Sequence, residues 1–113
     1  MKISDIVTLL DAKNLTPELG VENEVNSACG SDMMSDVLAY VKDQAVLLTG
    51  LNNPQVIRTA DMMDMLCVVY VRGKMPDELS VNIAREKGIC VLTTQKALFT
   101  CCGILYENGL RGA

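Results

Sequence analysis

The second half of the chain alternates short apolar runs with longer stretches in which apolar residues recur at helical spacing. The apolar runs are AVLLTG at 45–50, LCVVYVRG at 66–73 and GICVLT at 88–93. Such short runs without polar alternation are typical of strands buried on both faces of a parallel sheet. Val46, Val68 and Val91 mark equivalent positions, and their spacing suits one strand, one helix and two turns. The pattern therefore predicts a layered α/β fold, a mostly parallel sheet flanked by helices.

The first half of the chain predicts two helices and one short strand. Ser4 is a plausible cap for a helix over 5–12, and a short strand is expected near 25–29. A second amphipathic helix follows Asp32, which we interpret as its cap. The apolar residues at helical spacing in this second helix are Met33, Val37, Leu38 and Val41.

Helix boundaries in the second half are marked by specific residues. Asn53 with Pro54 is a typical helix start. Pro76 is expected to open the next helix, with Asp77 and Glu78 in its first turn. Thr93 or Thr94 is expected to cap the last helix, and Gly109 to follow its end.

Length and charge narrow the class of protein. The 113 residues suit one domain, 1–113, and half of them are apolar. The net charge is -4 and the 10 basic residues are spread along the chain, so neither nucleic acid nor a membrane surface is an expected partner. No apolar segment has the length of a membrane span and no signal peptide is visible, which predicts a cytoplasmic protein.

The residue types exclude several kinds of chemistry. Histidine is absent, which removes His-based triads and the commonest metal ligand, and the 5 cysteines show no Cys-x-x-Cys spacing. We expect no metal, no cofactor and no catalytic activity. An enzyme that uses Asp32, Asp36 or Asp61 as acid or base is a minor alternative, because capping and polar helix positions explain these residues more simply.

A candidate binding region lies where the predicted strands end, because the loops after parallel strands gather at one edge of the sheet. The expected ligand-binding residues are Thr49, Gly50, Asn52, Asn53, Arg72, Gly73, Lys74, Thr93 and Thr94. They offer hydroxyls, amides and two cations without a nucleophile and base. An ordinary turn at Arg72-Gly73-Lys74 is the alternative, and the carboxylates of Asp77 and Glu78 disfavour a phosphate at the next helix end itself.

The last predicted helix is apolar on more than one face. Either it is covered within the domain or part of it contacts another chain. The candidate interface residues are Leu98, Phe99, Cys102, Leu105 and Tyr106. Several methionines are open to the same two interpretations, core filling or interface. A homodimer or another protein partner is the expectation if the helix is an interface.

The segments SACGSDMMSDVLAYV, AVLLTGLNNPQVIRTA and CVVYVRGKMPDELSVNIAREKGICVLTT resemble, in order and spacing, the DRTGG domain family. This family is related to the N-terminal domain of HPr kinase/phosphorylase. The resemblance covers most of 25–110 and implies an α/β regulatory or ligand-sensing domain that is often dimeric. The signature itself is degenerate, since Leu51-Asn52-Asn53 replaces the Asp-Arg pair and Val71-Arg72-Gly73 replaces Thr-Gly-Gly.

Two functional hypotheses remain. In the first, a non-catalytic regulatory module binds a nucleotide or another anionic metabolite at the strand-end loops. In the second, a structural or adaptor subunit assembles with other proteins and binds no small molecule. Kinase activity is not expected, because the chain has no Gly-x-x-x-x-Gly-Lys-Ser/Thr motif.

Overall fold

The computed structural model describes residues 1–40 and 44–112. It contains a five-stranded sheet with the strand order β1-β5-β4-β3-β2, and helices alternate with most of the strands along the chain. The elements are α1 (Ile3–Leu10), β1 (Lys13–Asn14), β2 (Ser27–Gly30), α2 (Met34–Tyr40), β3 (Ala45–Thr49), α3 (Gln55–Met62), β4 (Cys67–Tyr70), α4 (Glu78–Lys87), β5 (Cys90–Thr93) and α5 (Leu98–Glu107). The predicted α/β class is confirmed.

Strands β2 to β5 are parallel and adjacent in chain order. Val46 pairs with Cys67, which pairs with Cys90, so the three apolar runs lie side by side at the centre of the sheet. Every residue of β3, β4 and β5 is buried. The absence of polar alternation in these runs thus reflects helices on both faces of the sheet.

The sheet separates two apolar layers. On one face, Val37, Ile57 and Ala84 of α2, α3 and α4 pack against side chains that include Leu47 and Val68. On the other face, residues of α1 and α5 pack against the alternate side chains of the same strands. Consecutive parallel strands joined by crossovers of one hand place their helices on one face, which leaves the other face to α1 and α5.

The first half of the chain departs from the sequence prediction in three places. Helix α1 begins at Ile3, and the backbone N–H of Lys2 donates to Asp5 Oδ2 at 3.0 Å, so Ser4 is not its cap. In α2 the buried residues are Met34 and Val37, whereas Met33 and Leu38 are exposed. The predicted face residue Val41 lies outside the described residues. Strand β1, which pairs antiparallel with β5, was not predicted.

Two predicted helix starts are also wrong. Helix α4 begins after Asp77, whose carboxylate accepts the Ser80 backbone N–H at 2.7 Å, so Pro76 precedes the helix. Helix α5 begins after Ala97 with no side-chain cap, and neither Thr93 nor Thr94 caps it. Gly109 does follow the end of α5, with a φ of 104°.

Among the residues described, no helix has the length and apolar character needed to cross a bilayer.

Candidate functional site

Strand β4 ends in a tight turn at Arg72 and Gly73. The backbone N–H of Lys74 donates to the carbonyl of Val71 at 3.1 Å, and φ is 56° at Arg72 and 70° at Gly73. Two consecutive positive φ values define a type I′ turn, which glycine and asparagine adopt easily and arginine does not. An arginine in a disfavoured backbone conformation points to a role for its side chain.

The turn is fixed to the segment that leads into α5. The backbone N–H of Arg72 donates to the carbonyl of Lys96 at 2.9 Å, and that of Gly73 donates to the carbonyl of Thr94 at 2.8 Å. A Cβ on Gly73 would lie 2.8 Å from Gln95 Oε1, so this side chain covers the turn closely. The backbone donors of 72–74 are all engaged, and an anion at this turn therefore has only side chains to bind it.

The Arg72 guanidinium lies over Gly50 in the loop after β3. A Cβ on Gly50 would lie 2.5 Å from Arg72 Nη2, so the absence of a side chain at Gly50 makes room for the guanidinium. Asp32 Oδ1 accepts the Gly50 backbone N–H at 2.7 Å and the Thr49 hydroxyl at 3.2 Å. A carboxylate and a guanidinium thus flank the same glycine, each of them exposed to solvent.

Arg72 and Lys74 are exposed cations, and within 1–40 and 44–112 neither side chain forms an ion pair. Helices α3 and α4 begin at this same edge, so the positive ends of their dipoles point toward it. Asp77 offsets the end of α4, because its bond with the Ser80 N–H lowers the pKa of this carboxyl and keeps it charged. The two basic side chains are therefore the groups that favour an anion.

The loops that carry the predicted ligand-binding residues all lie at one edge of the sheet. Some of the polar groups of these residues, however, form hydrogen bonds within the protein. The Thr93 hydroxyl donates to the carbonyl of Lys74 at 2.8 Å, and the Thr94 hydroxyl donates to that of Leu10 at 2.7 Å. Both threonines are buried, as is Thr49. These hydroxyls bond within the protein and hold the loops in place, so they are not the free hydroxyls that the sequence suggested for a ligand.

The predicted asparagines have structural partners and exposed positions. Asn52 Nδ2 donates to the carbonyl of Met75 at 3.1 Å, which joins the loop after β3 to the loop after β4. Asn53 Oδ1 accepts the Gln55 backbone N–H at 3.0 Å, so Asn53 contacts the start of α3 as expected, but the helix begins at Gln55 and the N-cap position is Pro54, one residue later than predicted.

Asp32 belongs to the site although it was predicted to be a helix cap. Its carboxylate bonds to Gly50 and Thr49 of the neighbouring strand end, while the Ser31 hydroxyl accepts the Met33 N–H at 3.0 Å. Asp32 lies two residues after the end of β2, at the carboxyl edge of the sheet. This position could have indicated that Asp32 belongs to the site. Aspartate is also a common N-cap residue, and for that reason the sequence favoured a capping role.

Tyr70, at the end of β4, has a fully buried side chain whose hydroxyl has no hydrogen-bond partner in the described part of the chain. Burial raises the pKa of Tyr70, and the nearby Asp77 carboxylate adds to this effect. The phenol is therefore neutral across the physiological range.

The larger cavities lie away from this edge. One of about 570 Å³ is lined by Asp5, Thr8 and Asn108 together with apolar residues, next to the C-terminal end of α5. Another of about 520 Å³ is lined by Asp61, Asp64 and Lys87, where α3 and α4 end. Helix C-termini and carboxylates disfavour an anion. By charge, the strand-end loops are the better anion site.

The cysteines form no metal site. Within the described residues, no group of three or more metal-ligating side chains of the His, Cys, Asp and Glu types comes together. All 5 cysteines are free, and Cys67 and Cys90 are buried in the core as expected. The hydrogen bond between this pair raises the pKa of Cys67 and lowers that of Cys90, and burial also raises the former.

The predicted interface residues of α5 divide into three groups by exposure. Phe99 is 90% exposed and Tyr106 60% exposed, whereas Leu98 and Cys102 are half-buried. Leu105 is 1% exposed and packs in the core, so it is not available to another chain and that part of the prediction is wrong.

No protein-family model matches the sequence, and no match was found among curated proteins. A solved structure does match: the CBS and DRTGG domains of the regulatory region of Clostridium perfringens pyrophosphatase, complexed with the activator diadenosine tetraphosphate. The TM-score is 0.71, with 14% sequence identity over 91% of this chain, and the chain spans 45% of the length of that neighbour. The resemblance to a DRTGG-containing regulatory region is confirmed at the level of the fold.

Proposed function

We propose that this chain is a regulatory, ligand-sensing module that binds a nucleotide or a related anionic metabolite at the carboxyl edge of its sheet. The observation that carries the proposal is Arg72, held at a φ of 56° in a turn whose backbone is tied to another loop, with its guanidinium exposed over Gly50. Lys74 supplies a second cation on the same turn. The similar solved structure is a regulatory region complexed with a nucleotide activator, which supports this class of ligand.

The proposed binding site also includes a hydrogen-bond acceptor, the carboxylate of Asp32. Asp32 uses Oδ1 for Gly50 and Thr49, and its carboxylate is exposed. A nucleotide presents phosphates beside hydroxyl and amino donors, which suits two cations with a carboxylate nearby. Inorganic phosphate would be attracted by the two cations and repelled by the carboxylate of Asp32, and it has no base or sugar to use that carboxylate as an acceptor. We therefore expect nucleotides to bind more tightly than inorganic phosphate.

Binding at Arg72 has a direct route to the start of α5. The turn donates two backbone hydrogen bonds to the 94–96 segment, and Ala97 is the N-cap of α5. Thr94 further joins this segment to the end of α1 through the Leu10 carbonyl. A ligand that shifts the turn would therefore shift the helices on one face of the sheet, which is the physical basis for a sensor without chemistry of its own.

The test is a binding titration against adenine and guanine nucleotides, diadenosine tetraphosphate, cyclic dinucleotides and acyl phosphates. For a member that binds, Arg72→Asn and Lys74→Ala should each raise Kd about tenfold or more, because a hydrogen bond to a charged group contributes about 1.5–3 kcal/mol. Lys87→Ala is the matched control, since it removes one positive charge at the opposite edge of the sheet. Equal affinities for all these variants would contradict the proposal.

The adaptor function is the second candidate, and the 90% exposed side chain of Phe99 favours it. A homodimer or another protein partner would cover that side chain. A panel in which nothing binds, with association that depends on Phe99, would favour the adaptor function over the sensor.

A further inference from the structure

The two oxygens of the Asp32 carboxylate have different surroundings. Oδ1 accepts the backbone N–H of Gly50 at 2.7 Å and the Thr49 hydroxyl at 3.2 Å. Oδ2 accepts no hydrogen bond from the residues that the structure describes, and the side chain is exposed. Two bonds to one oxygen fix the orientation of the carboxylate, so Oδ2 is a preorganised acceptor whose lone pairs are unused.

Asp32 and Arg72 lie close together without pairing. The position that a Cβ on Gly50 would occupy lies 2.5 Å from Arg72 Nη2 and 3.4 Å from Asp32 Oδ1. Within 1–40 and 44–112 the two side chains nevertheless form no ion pair with each other. A cation and an acceptor that are neighbours but unpaired suit a ligand that carries hydrogen-bond donors beside an anionic group.

The order of the strands gives the direction in which a nucleotide would lie. Strands β4, β3 and β2 are neighbours in the sheet, and they lead into Arg72, Gly50 and Asp32. Because neighbouring strands are about 4.8 Å apart, the ends of β4 and β2 are about 10 Å apart. A nucleotide that lies across Gly50 with its phosphates at Arg72 has its sugar toward Asp32. The reverse direction places phosphate oxygens beside the Asp32 carboxylate, which repels them.

A ribose presents two adjacent hydroxyl donors, which the unused oxygen of Asp32 can accept. An acidic side chain that accepts a ribose hydroxyl, with phosphates at a nearby glycine, also occurs in dinucleotide-binding α/β folds. This chain lacks the Gly-x-Gly-x-x-Gly motif of those folds, so the analogy concerns only the pairing of acid and sugar. A deoxyribose lacks one of the donors, and a dideoxyribose lacks both.

Met33 offers an apolar surface next to this acceptor. Its side chain is 61% exposed, and it follows Asp32 directly in the chain. The Ser31 hydroxyl accepts the Met33 backbone N–H at 3.0 Å and donates to the Met33 carbonyl at 3.3 Å, so the segment 31–33 is ordered. Methionine sulfur makes favourable contacts with aromatic rings, which suits a nucleobase attached to a sugar at Asp32.

We propose that the segment 31–33 is a nucleoside subsite, in which Asp32 Oδ2 accepts the ribose hydroxyls and Met33 contacts the base. The ligand is therefore a ribonucleotide, and Asp32 is the residue that distinguishes it from a deoxyribonucleotide. The inference rests on the proposed function, since phosphates at Arg72 and Lys74 determine where the sugar lies.

Titration calorimetry with ATP, GTP, their 2′,3′-dideoxy analogues and tripolyphosphate tests the subsite. We expect the better-binding ribonucleotide to bind about tenfold or more tightly than its dideoxy analogue, because the analogue loses hydrogen bonds to a charged group. Asp32→Asn should bring this ratio close to one, since the amide can keep the bonds of Oδ1 but replaces Oδ2 with a donor. Asp36→Asn is the matched control, because it removes the same charge from the first turn of α2, and it should leave the ratio unchanged.

The outcomes separate this inference from the proposed function. Tripolyphosphate has no nucleoside, so its binding at Arg72 tests the cations alone. If it binds there and the ribose and dideoxy forms bind equally, or if Asp36→Asn acts like Asp32→Asn, the nucleoside subsite is wrong and the anion site stands. If neither a nucleotide nor tripolyphosphate binds, both proposals are wrong. A ribose preference that disappears when EDTA removes magnesium would also overturn the subsite, because Asp32 would then hold a metal ion on the phosphates.

A pair of methionine substitutions tests the position of the base. Met33→Gln should weaken the binding of the ribonucleotide and of its dideoxy analogue by the same factor and leave that of tripolyphosphate unchanged. Met75→Gln is the control, since Met75 is also exposed but follows Lys74, on the other side of the cations. A larger loss of nucleotide affinity for Met75→Gln than for Met33→Gln would overturn the assigned direction.

Discussion

Arg72 is the residue at which local stability and the proposed function conflict. Its positive φ places it first in a type I′ turn, followed by Gly73. Asn-Gly is the preferred pair for this turn, and a left-handed conformation costs an ordinary residue about 1–2 kcal/mol. The arginine is thus costly for the turn, and its cost is explained if the guanidinium over Gly50 binds a ligand.

Arg72→Asn should therefore raise the melting temperature while it weakens ligand binding. Thermal unfolding of the variant without ligand checks the first effect. Lys74→Ala is the comparison, since it removes a charge on the same turn at a residue without a positive φ and should leave the melting temperature nearly unchanged. A lower melting temperature for Arg72→Asn would mean that the arginine stabilises the fold.

Removal of two buried hydroxyls should change the free energy of unfolding by different amounts. Thr94→Val leaves the carbonyl of Leu10 without its 2.7 Å hydrogen bond, which should cost about 1–3 kcal/mol. Tyr70→Phe removes a buried hydroxyl that has no partner among the described residues, so it should change the free energy of unfolding by less than about 1 kcal/mol. Chemical denaturation of both variants measures these changes. A large loss of unfolding free energy for Tyr70→Phe would contradict the conclusion that its hydroxyl has no partner.

At the scale of elements, the sequence predicts best where one pattern is sustained. The central strands β3, β4 and β5 are apolar runs between turn residues, and their burial on both faces leaves no other interpretation. Strand β1 has two residues and carries no periodic pattern, since its pairing depends on a tertiary contact with β5. The start of α5 was mispredicted because Thr93 and Thr94 are both good caps whose hydroxyls bond elsewhere.

The candidate site shows the same limit. Its loops could be predicted from strand direction alone, and Arg72, Gly73 and Lys74 were identified in this way. Which side chains face solvent depends on hydrogen bonds between distant segments, such as Asp32 with Gly50. Such bonds between distant segments cannot be predicted from the local sequence.

The N-cap of α4 gives a pH-dependent prediction. The Ser80 N–H lowers the pKa of Asp77 below its ordinary value of 3.8, so the charged cap stabilises the folded state above that value. This contribution is lost as the pH falls through the lowered pKa. The difference in melting temperature between wild type and Asp77→Asn should be largest at neutral pH and shrink below pH 3.8.

A difference that stays constant with pH, or grows in acid, would mean that the carboxylate charge at Asp77 is not what stabilises the cap. Glu78→Gln is the control, because its carboxyl lies in the same first turn and is not the group that accepts the Ser80 N–H.

At the scale of the whole molecule, the proposed ligand site and the exposed aromatic residues of α5 lie on helices that cover opposite faces of the sheet. The three crossover helices cover one face, and their N-termini and loops form the strand-end site. The other face is covered by α1 and α5, and α5 carries the exposed side chains of Phe99 and Tyr106. The 94–96 segment joins the two, because it accepts the backbone hydrogen bonds of the Arg72 turn and leads into α5.

This connection predicts that, if α5 forms the homodimer of the second candidate function, ligand binding and dimer formation influence each other. A ligand that binds the dimer more tightly than the monomer must also promote dimer formation, because the two equilibria are linked. Sedimentation at a fixed protein concentration, with and without a saturating nucleotide from the binding panel, measures the coupling. Gly50→Ala should remove it, since a Cβ at this position displaces Arg72 Nη2. An unchanged equilibrium would mean that the site and α5 act independently.

The central claim is that an anionic nucleotide binds at the carboxyl edge of the sheet, and amide chemical-shift mapping tests it most directly. The ¹⁵N-labelled protein is titrated with diadenosine tetraphosphate and the other nucleotides of the panel. Saturable shifts should be largest at Gly50, Arg72 and Gly73, extend to Lys96, and disappear in Arg72→Asn. Shifts centred instead on Asp5 and Asn108, which line a cavity of about 570 Å³, or no saturable shift with any nucleotide, would contradict the account.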